Sequence, residues 1–400
     1  MKVKYILVGM QGLPVRLYVQ LKMPNTGVAM SGLNLFNEVS NEPNRYAREI
    51  KAEGKKIIGY FCTYAPEEII HAACLHPLRL FGEHIDINLA DKHLQSYCCC
   101  LVRRGLSDAL SGDLDYIDGI VFPHTCDSIQ RLSDIWRMNI NTGFFSDVIL
   151  PVKLNTQSSM QYMIDVLYRF KKDIEDHFFI QITDEALHES IRKYNSIRRS
   201  LRKIYEIRSG NPGKIGSKDV YAIVRSSMIM DRDCLAERLS DLTKGLTHRQ
   251  SSIKAAGKRI MLVGSICSHP DIYTFIEDSG GCVVWDDLCT GTRSFDGMID
   301  EGDDPIVSIA KRYYSRAICP AKHRSPSERG DNIMDIVTRH DIEGVIFLYM
   351  KYCDPHAFDY PYLKQCLEGG KIPSILLEVE DNLPSEGQLL TRLETFMHML

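Results

Sequence analysis

Thirteen cysteines are spread over this 400-residue chain, and their positions point to chemistry more than their number does. None forms a Cys-x-x-Cys pair, so neither a zinc ribbon nor a thioredoxin-like dithiol is expected. A chain of this size uses such thiols for metal or redox work more often than for bridges. Cys62, Cys126, Cys289 and Cys353 each come directly after an apolar run that reads as a β-strand. Cys98, Cys99 and Cys100 form a triplet in a connection, and Cys319 stands in a comparable one. Cys74, Cys234, Cys267, Cys282 and Cys366 fall where helix or strand interiors are expected and read as core residues. Thiolates far apart in sequence but gathered in one cleft suit an iron–sulfur cluster. The sequence has no G-x-x-x-x-G-K-[ST] loop, no G-x-G-x-x-G after a strand, no H-E-x-x-H and no G-x-S-x-G, which excludes those routes to phosphate, dinucleotide, zinc or acyl chemistry.

The elements that must position these thiols come in two sets. KKIIGYF (55–61), HPLRLFG (76–82), YIDGIVFP (116–123) and DVILPVKL (147–154) read as strands separated by helical sequence. PEEIIHAAC (66–74) reads as a helix with Pro66 at its first position. Glu67 and Glu68 fall in its first turn, where the helix dipole favours carboxylates. From 157 to 256 the strand-like runs vanish and charged helical stretches such as 184–207 dominate, as a helical connection would. Six basic residues between Arg192 and Lys203 read as a solvated helix face. The first pattern then returns in KRIMLVG (258–264), CVVWDDL (282–288), EGVIFLYMKY (343–352) and PSILLEVE (373–380), with DIYTFIEDSGG (271–281) as a helix ending on glycine. Asp118-Gly-Ile-Val-Phe leading to Cys126-Asp127 parallels Glu343-Gly-Val-Ile-Phe leading to Cys353-Asp354.

The expected organisation is therefore an N-terminal extension (1–50, with a helix near 33–52), a first α/β lobe (51–156), a helical connection (157–256) and a second α/β lobe (257–400). Alternating strands and helices imply parallel sheets covered on both faces. Open sheets of this kind take ligands beyond the carboxyl ends of their strands, where the four strand-end cysteines lie. Apolar residues make up 44% and charged residues 25%, the balance of a globular protein. A formal charge of −4 argues against an electrostatic nucleic-acid binder. No apolar run is long enough for a membrane span. Gln11 and Arg16 interrupt the apolar N-terminal stretch, so a cytoplasmic protein is expected.

Five blocks, GYFCTYAPEEIIHAA (59–73), PHTCDS (123–128), DDLCTGTR (286–293), KYCDPHAFDYP (351–361) and PSEGQLLTRLETFMHML (384–400), resemble the 2-hydroxyacyl-CoA dehydratase and benzoyl-CoA reductase family. They occur in the family's order, and the similarity, nearest to the D-component of 2-hydroxyglutaryl-CoA dehydratase, runs over roughly residues 45–400. It implies two Rossmann-like lobes around an oxygen-sensitive 4Fe–4S cluster held in the cleft by three cysteines, with one iron open. Carried over by motif, the ligands are Cys126, Cys353 and Cys99 of the triplet, since the family's cysteine precedes a basic position by four residues (Arg103) and a hydrophobic one by seven (Leu106). Glu68 matches the glutamate of the family's Pro-x-Glu motif and is the candidate catalytic acid/base.

The resemblance further implies one-electron reduction of a CoA thioester to a ketyl radical, which leads either to loss of a 2-hydroxyl or to reduction of an aromatic ring. Expected partners are the CoA thioester, an ATP-dependent iron–sulfur activator protein and a paralogous second subunit, or a second copy of this chain. Relatives with a fused double cubane draw extra cysteines from the places of Cys289 and Cys319. Here the second cysteine of that pair is missing from Cys319-Pro320-Ala321, so a single cluster is expected. Two alternatives remain: a non-catalytic cluster-bearing electron-transfer subunit, and a double-cubane-type ATP-dependent reductase. Cys74 stands where the family usually has glycine.

Overall fold

A computed structural model describes residues 30–400 except 84–85, 252–256, 317–318, 326 and 381–384. The reading of residues 1–29 as part of an N-terminal extension lies outside the described residues. The chain builds two four-stranded, all-parallel sheets. The first contains β1 (Ile57–Tyr60), β2 (His76–Arg79), β3 (Gly119–Pro123) and β4 (Phe144–Val148), in spatial order β2-β1-β3-β4. The second contains β5 (Lys258–Gly264), β6 (Gly281–Asp287), β7 (Gly344–Met350) and β8 (Ser374–Val379), in the equivalent order β6-β5-β7-β8.

The repeat extends to side chains. The Ile57 N–H at the start of β1 donates to Asp118 Oδ2 at 2.7 Å, and the Arg259 N–H at the start of β5 donates to Glu343 Oε2 at 2.8 Å. Each carboxylate also takes a lysine, Lys51 at 2.6 Å and Lys258 at 3.0 Å. The acidic residue that precedes the third strand of each lobe thus latches the first strand in register, which gives the sequence parallel a structural meaning.

Three local expectations need correction. The run at 147–154 is not a strand: β4 ends at Val148, and beyond it Leu150 and Leu154 are buried while Ile149 and Val152 are exposed. Pro151 has no N–H for a ladder, so the apolar residues after Val148 act as anchors of a connection. The helix near 33–52 is two helices, Met30–Asn41 and Pro43–Ala52, divided at Glu42, whose φ of −129° and ψ of 59° are not helical. The proline restricts the residue before it. Among the six basic residues from 192 to 203, Arg198 is buried rather than solvated.

The Asp184–Gly210 helix ties the lobes together. It packs on the Glu67–Ala72 helix of the first lobe, on β6 of the second and on the Arg232–His248 helix. The Pro305–Ser315 helix also crosses over: Ile306, Ile309, Ala310 and Tyr313 join the apolar core beside β1, β3 and the Gln157–Phe178 helix. No helix among the described residues is long and apolar enough to cross a membrane.

Cys74 is an exposed residue and not part of the core. Pro66 caps the Glu67–Ala72 helix instead of opening it, and Cys74 ends it with φ +59°. The Leu75 N–H returns to the Ile70 carbonyl and the Cys74 N–H to the His71 carbonyl, the pairing of a Schellman motif. A Cβ in the left-handed region is strained, so glycine suits this position better than cysteine. Cys74→Gly is expected to stabilise the protein by about 1 kcal/mol, read as a higher denaturant midpoint at unchanged m-value. A lower midpoint would contradict this account.

Candidate functional site at the strand ends between the lobes

β1 and β3 are central neighbours whose connections leave in opposite directions, so a crevice opens at their carboxyl ends. Cys62 lies two residues past β1, Cys126 three past β3, Cys289 two past β6 and Cys353 three past β7. The thiols converge. Cys99 lies within electrostatic range of Cys353 and Cys126, Cys126 within range of Cys62 and Cys319, and Cys353 within range of Cys126, Cys289 and Cys319. The Thr125 hydroxyl donates to Cys62 Sγ at 3.4 Å.

Cys99, Cys126 and Cys353 share a further feature that their sequence neighbourhoods do not show. Each is the N-cap residue of a helix: Cys100–Leu110, Asp127–Asn139 and Asp354–Gly369. The N–H of the third residue into each helix, Val102, Ile129 and His356 respectively, favours the charged sulfur. A helix N-terminus is also the place where a thiolate is most easily held. Burial and mutual repulsion nevertheless push all three thiols up, Cys126 to about 12. Burial therefore disfavours negative charge on all three sulfurs. Within the triplet, Cys98 faces Asp354 and Arg103 instead, while Cys100 is already inside the helix.

Among the described residues no three His, Cys, Asp or Glu side chains could hold a single metal ion. The donor set nevertheless fits a cluster: three cysteines at three helix N-termini, whose dipoles favour an anion.

Glu68 is 1% exposed and pairs with Arg198, and its second oxygen, Oε2, is buried with no hydrogen-bond partner. Burial alone would raise its pKa, but Arg198 and Arg312 outweigh burial and hold the carboxyl below its usual range. Glu68 is thus ionised at neutral pH, in the state of a base and not of an acid.

Around Cys62, Cys289 and Cys319 lie buried cations that had no role in the sequence reading. Arg293 donates to Cys289 Sγ at 3.2 Å and to Asp287 at 2.9 Å. Lys322, whose pKa burial lowers to about 8, faces Cys62, Cys319 and Cys126. Arg293 stands inside the DDLCTGTR block, where it could have been noticed; Lys322 and Arg316 carry no local signal.

A model of the 2-hydroxyglutaryl-CoA dehydratase D-component matches residues 62–400. The (R)-phenyllactyl-CoA dehydratase beta subunit of Clostridium sporogenes is 25% identical over 377 residues, covering 92% of this chain and 98% of that one. One subunit of the benzoyl-CoA reductase of Thauera aromatica is 28% identical over 334 residues, 82% and 86% of the two chains. The beta subunit of (R)-2-hydroxyglutaryl-CoA dehydratase from Acidaminococcus fermentans is 26% identical over 373 residues, 91% and 98%.

Proposed function

The chain belongs to the 2-hydroxyglutaryl-CoA dehydratase D-component family, and from that membership we propose that it is the iron–sulfur subunit of a cytoplasmic enzyme that dehydrates or reduces a CoA thioester. The reaction class is one-electron activation of the thioester carbonyl, which makes either departure of a 2-hydroxyl or reduction of an aromatic ring accessible. The observation that carries this reading is the meeting of Cys99, Cys126 and Cys353, each at a helix N-terminus. These three would hold a 4Fe–4S cluster, and when bound it supplies a low-potential electron and an open iron acting as a Lewis acid. The N–H groups of Val102, Ile129 and His356 at the three helix N-termini favour negative charge on these sulfurs. Glu68, held ionised by Arg198 and Arg312 and with Oε2 unpartnered, suits the role of a base better than that of an acid.

Each of the three relatives is one subunit of its enzyme, and two of them are beta subunits. That pattern supports a second subunit for this chain, and it also supports the second reading, in which this chain relays electrons to a catalytic partner. The sequence has no phosphate loop, so an external ATP-hydrolysing activator is proposed as the energy source.

The test is anaerobic isolation with about four iron and four sulfide expected per chain, the stoichiometry of a cubane. Turnover with a panel of CoA thioesters is expected to require ATP, reductant, activator and second subunit. EPR changes on adding a thioester to this chain alone would favour the catalytic reading, and an unresponsive cluster the relay. Absence of iron and sulfide from anaerobic protein would overturn both.

A further inference from the structure

Asp147, near the end of the edge strand β4, gathers donors from both sides of Cys126. Its Oδ1 accepts the His124 Nε2–H at 2.8 Å and the Ser133 hydroxyl, and its Oδ2 accepts Arg137. His124 stands just before Cys126, whereas Ser133 and Arg137 lie on the Asp127–Asn139 helix that Cys126 caps. Residues four apart share a helix face, so Ser133 and Arg137 present one edge of that helix to β4. Phe145 lies on the same face of β4 as Asp147, and its ring centroid is 4.6 Å from the Arg137 guanidinium carbon.

The upstream flank is held twice. The His124 N–H donates to the Val148 carbonyl at 3.1 Å, so backbone and ring of His124 bind consecutive residues of β4. Between His124 and Cys126, Thr125 donates its N–H to the Pro123 carbonyl at 2.8 Å. The second lobe has a counterpart: Arg329 joins Asp287, at the end of β6, to Asp359 on the helix that Cys353 caps, at 2.8 Å each.

A paired carboxylate is a poor source of stability, since well-packed apolar side chains often do as well. What it adds is direction. Three donors converging on one carboxylate fix a helix both in rotation and along its axis, whereas an apolar contact lets it slide. Hydrogen-bonded neighbours orient metal ligands in this way.

We propose that Asp147 is a positioning residue for Cys126, which it holds through His124 on one flank and through Ser133 and Arg137 on the other. The inference deepens the reading of Cys126 as a cluster ligand and rests on it.

The experiment compares anaerobically isolated wild type with Asp147→Leu, Asp147→Asn, Arg137→Gln and, as a control, Asp173→Asn. The readouts are the rate of iron loss to ferrozine, the EPR g-values of the dithionite-reduced protein and the denaturant midpoint. Asp147→Leu is expected to lose iron about ten-fold faster, the lower end of the range for outer-shell partners of metal ligands, and to shift the g-values. Asp147→Asn, which keeps an acceptor oxygen, falls between it and the wild type, and Asp173→Asn matches the wild type. Wild-type g-values and iron loss in Asp147→Leu would overturn the proposal. So would faster iron loss that only follows a lower midpoint, with unshifted g-values, because Asp147 would then be merely structural. Arg137 is a half-exposed side chain, and Arg137→Gln gives the same two readings, with a smaller shift expected, even if Asp147→Leu does not fold. Iodoacetamide labelling of iron-depleted protein, mapped by mass spectrometry, reads the thiol without a cluster: the Cys126 to Cys353 labelling ratio should change several-fold in Asp147→Leu, and an unchanged ratio counts against the proposal. Wild-type protein isolated without iron would overturn the cluster reading alone, since the labelling ratio still decides whether Asp147 positions Cys126.

Discussion

Cys126→Ala and Cys353→Ala are each expected to abolish the visible absorption and EPR signature of a 4Fe–4S centre, while Cys234→Ala leaves it intact. Both ligand candidates cap helices that point at the same crevice, and each sulfur lies within electrostatic range of the other and of Cys99. Cys234 sits on the Arg232–His248 helix beside Asp231 and Arg238 and faces none of them. A cubane bound by three thiolates tolerates the loss of one poorly, because second coordination-sphere hydrogen bonds cannot replace a ligand. Cys99→Ser should cost more cluster than Cys98→Ser or Cys100→Ser, since of the triplet only Cys99 is the N-cap. Full retention of the signal in both Cys126→Ala and Cys353→Ala would end the assignment.

Glu68→Ala is expected to lower unfolding stability by about 3–5 kcal/mol, the range for removing one partner of a buried ion pair. Arg198 would be left charged beside Arg312 in the interior. Glu68→Gln keeps the shape but not the charge and should cost a comparable amount, whereas Arg198→Met in the Glu68→Ala background should restore part of the loss. A denaturant series showing less than about 1 kcal/mol for Glu68→Ala would place Glu68 outside any structural role.

The pH dependence of stability has a definite sign. Burial pushes Glu68 and Asp287 up, but their arginine partners hold both below their ordinary values of 4.5 and 3.8. A depressed carboxylate contributes stability that is complete above its unfolded pKa and is lost as pH falls through its folded one. The chain should therefore lose stability below about pH 4, and Glu68→Gln should flatten that acid limb.

Much of the candidate site was legible because its residues adjoin strands. Apolar runs such as KRIMLVG need no context to be read as buried parallel strands, and β5 occupies those seven residues. The thiols that follow such runs were bound to reach the carboxyl edge of a sheet. Cys74 misled because its role depends on a backbone angle, φ +59°, that no residue type announces. The 147–154 run misled because period-two apolarity also describes a connection that drops Leu150 and Leu154 into the core. Arg316 and Lys322 were invisible for another reason: a basic residue in a loop is presumed solvated, and only packing against Tyr64 and Tyr313 takes Arg316 out of water.

The sequence by itself determined the α/β class, the two sets of strands, their parallel course and the strand ends that several of its cysteines follow. Hydrophobic periodicity and strand–helix alternation are local properties, and they survive without knowledge of the partner surface. Tertiary structure alone decided which thiols share a charge environment, that Glu68 is held as an anion by an arginine 130 residues away, and that Arg316 and Lys322 are buried beside Tyr64. Those facts depend on contacts between segments hundreds of residues apart, and on the loss of water that makes an unpaired charge costly only after the lobes have closed over it.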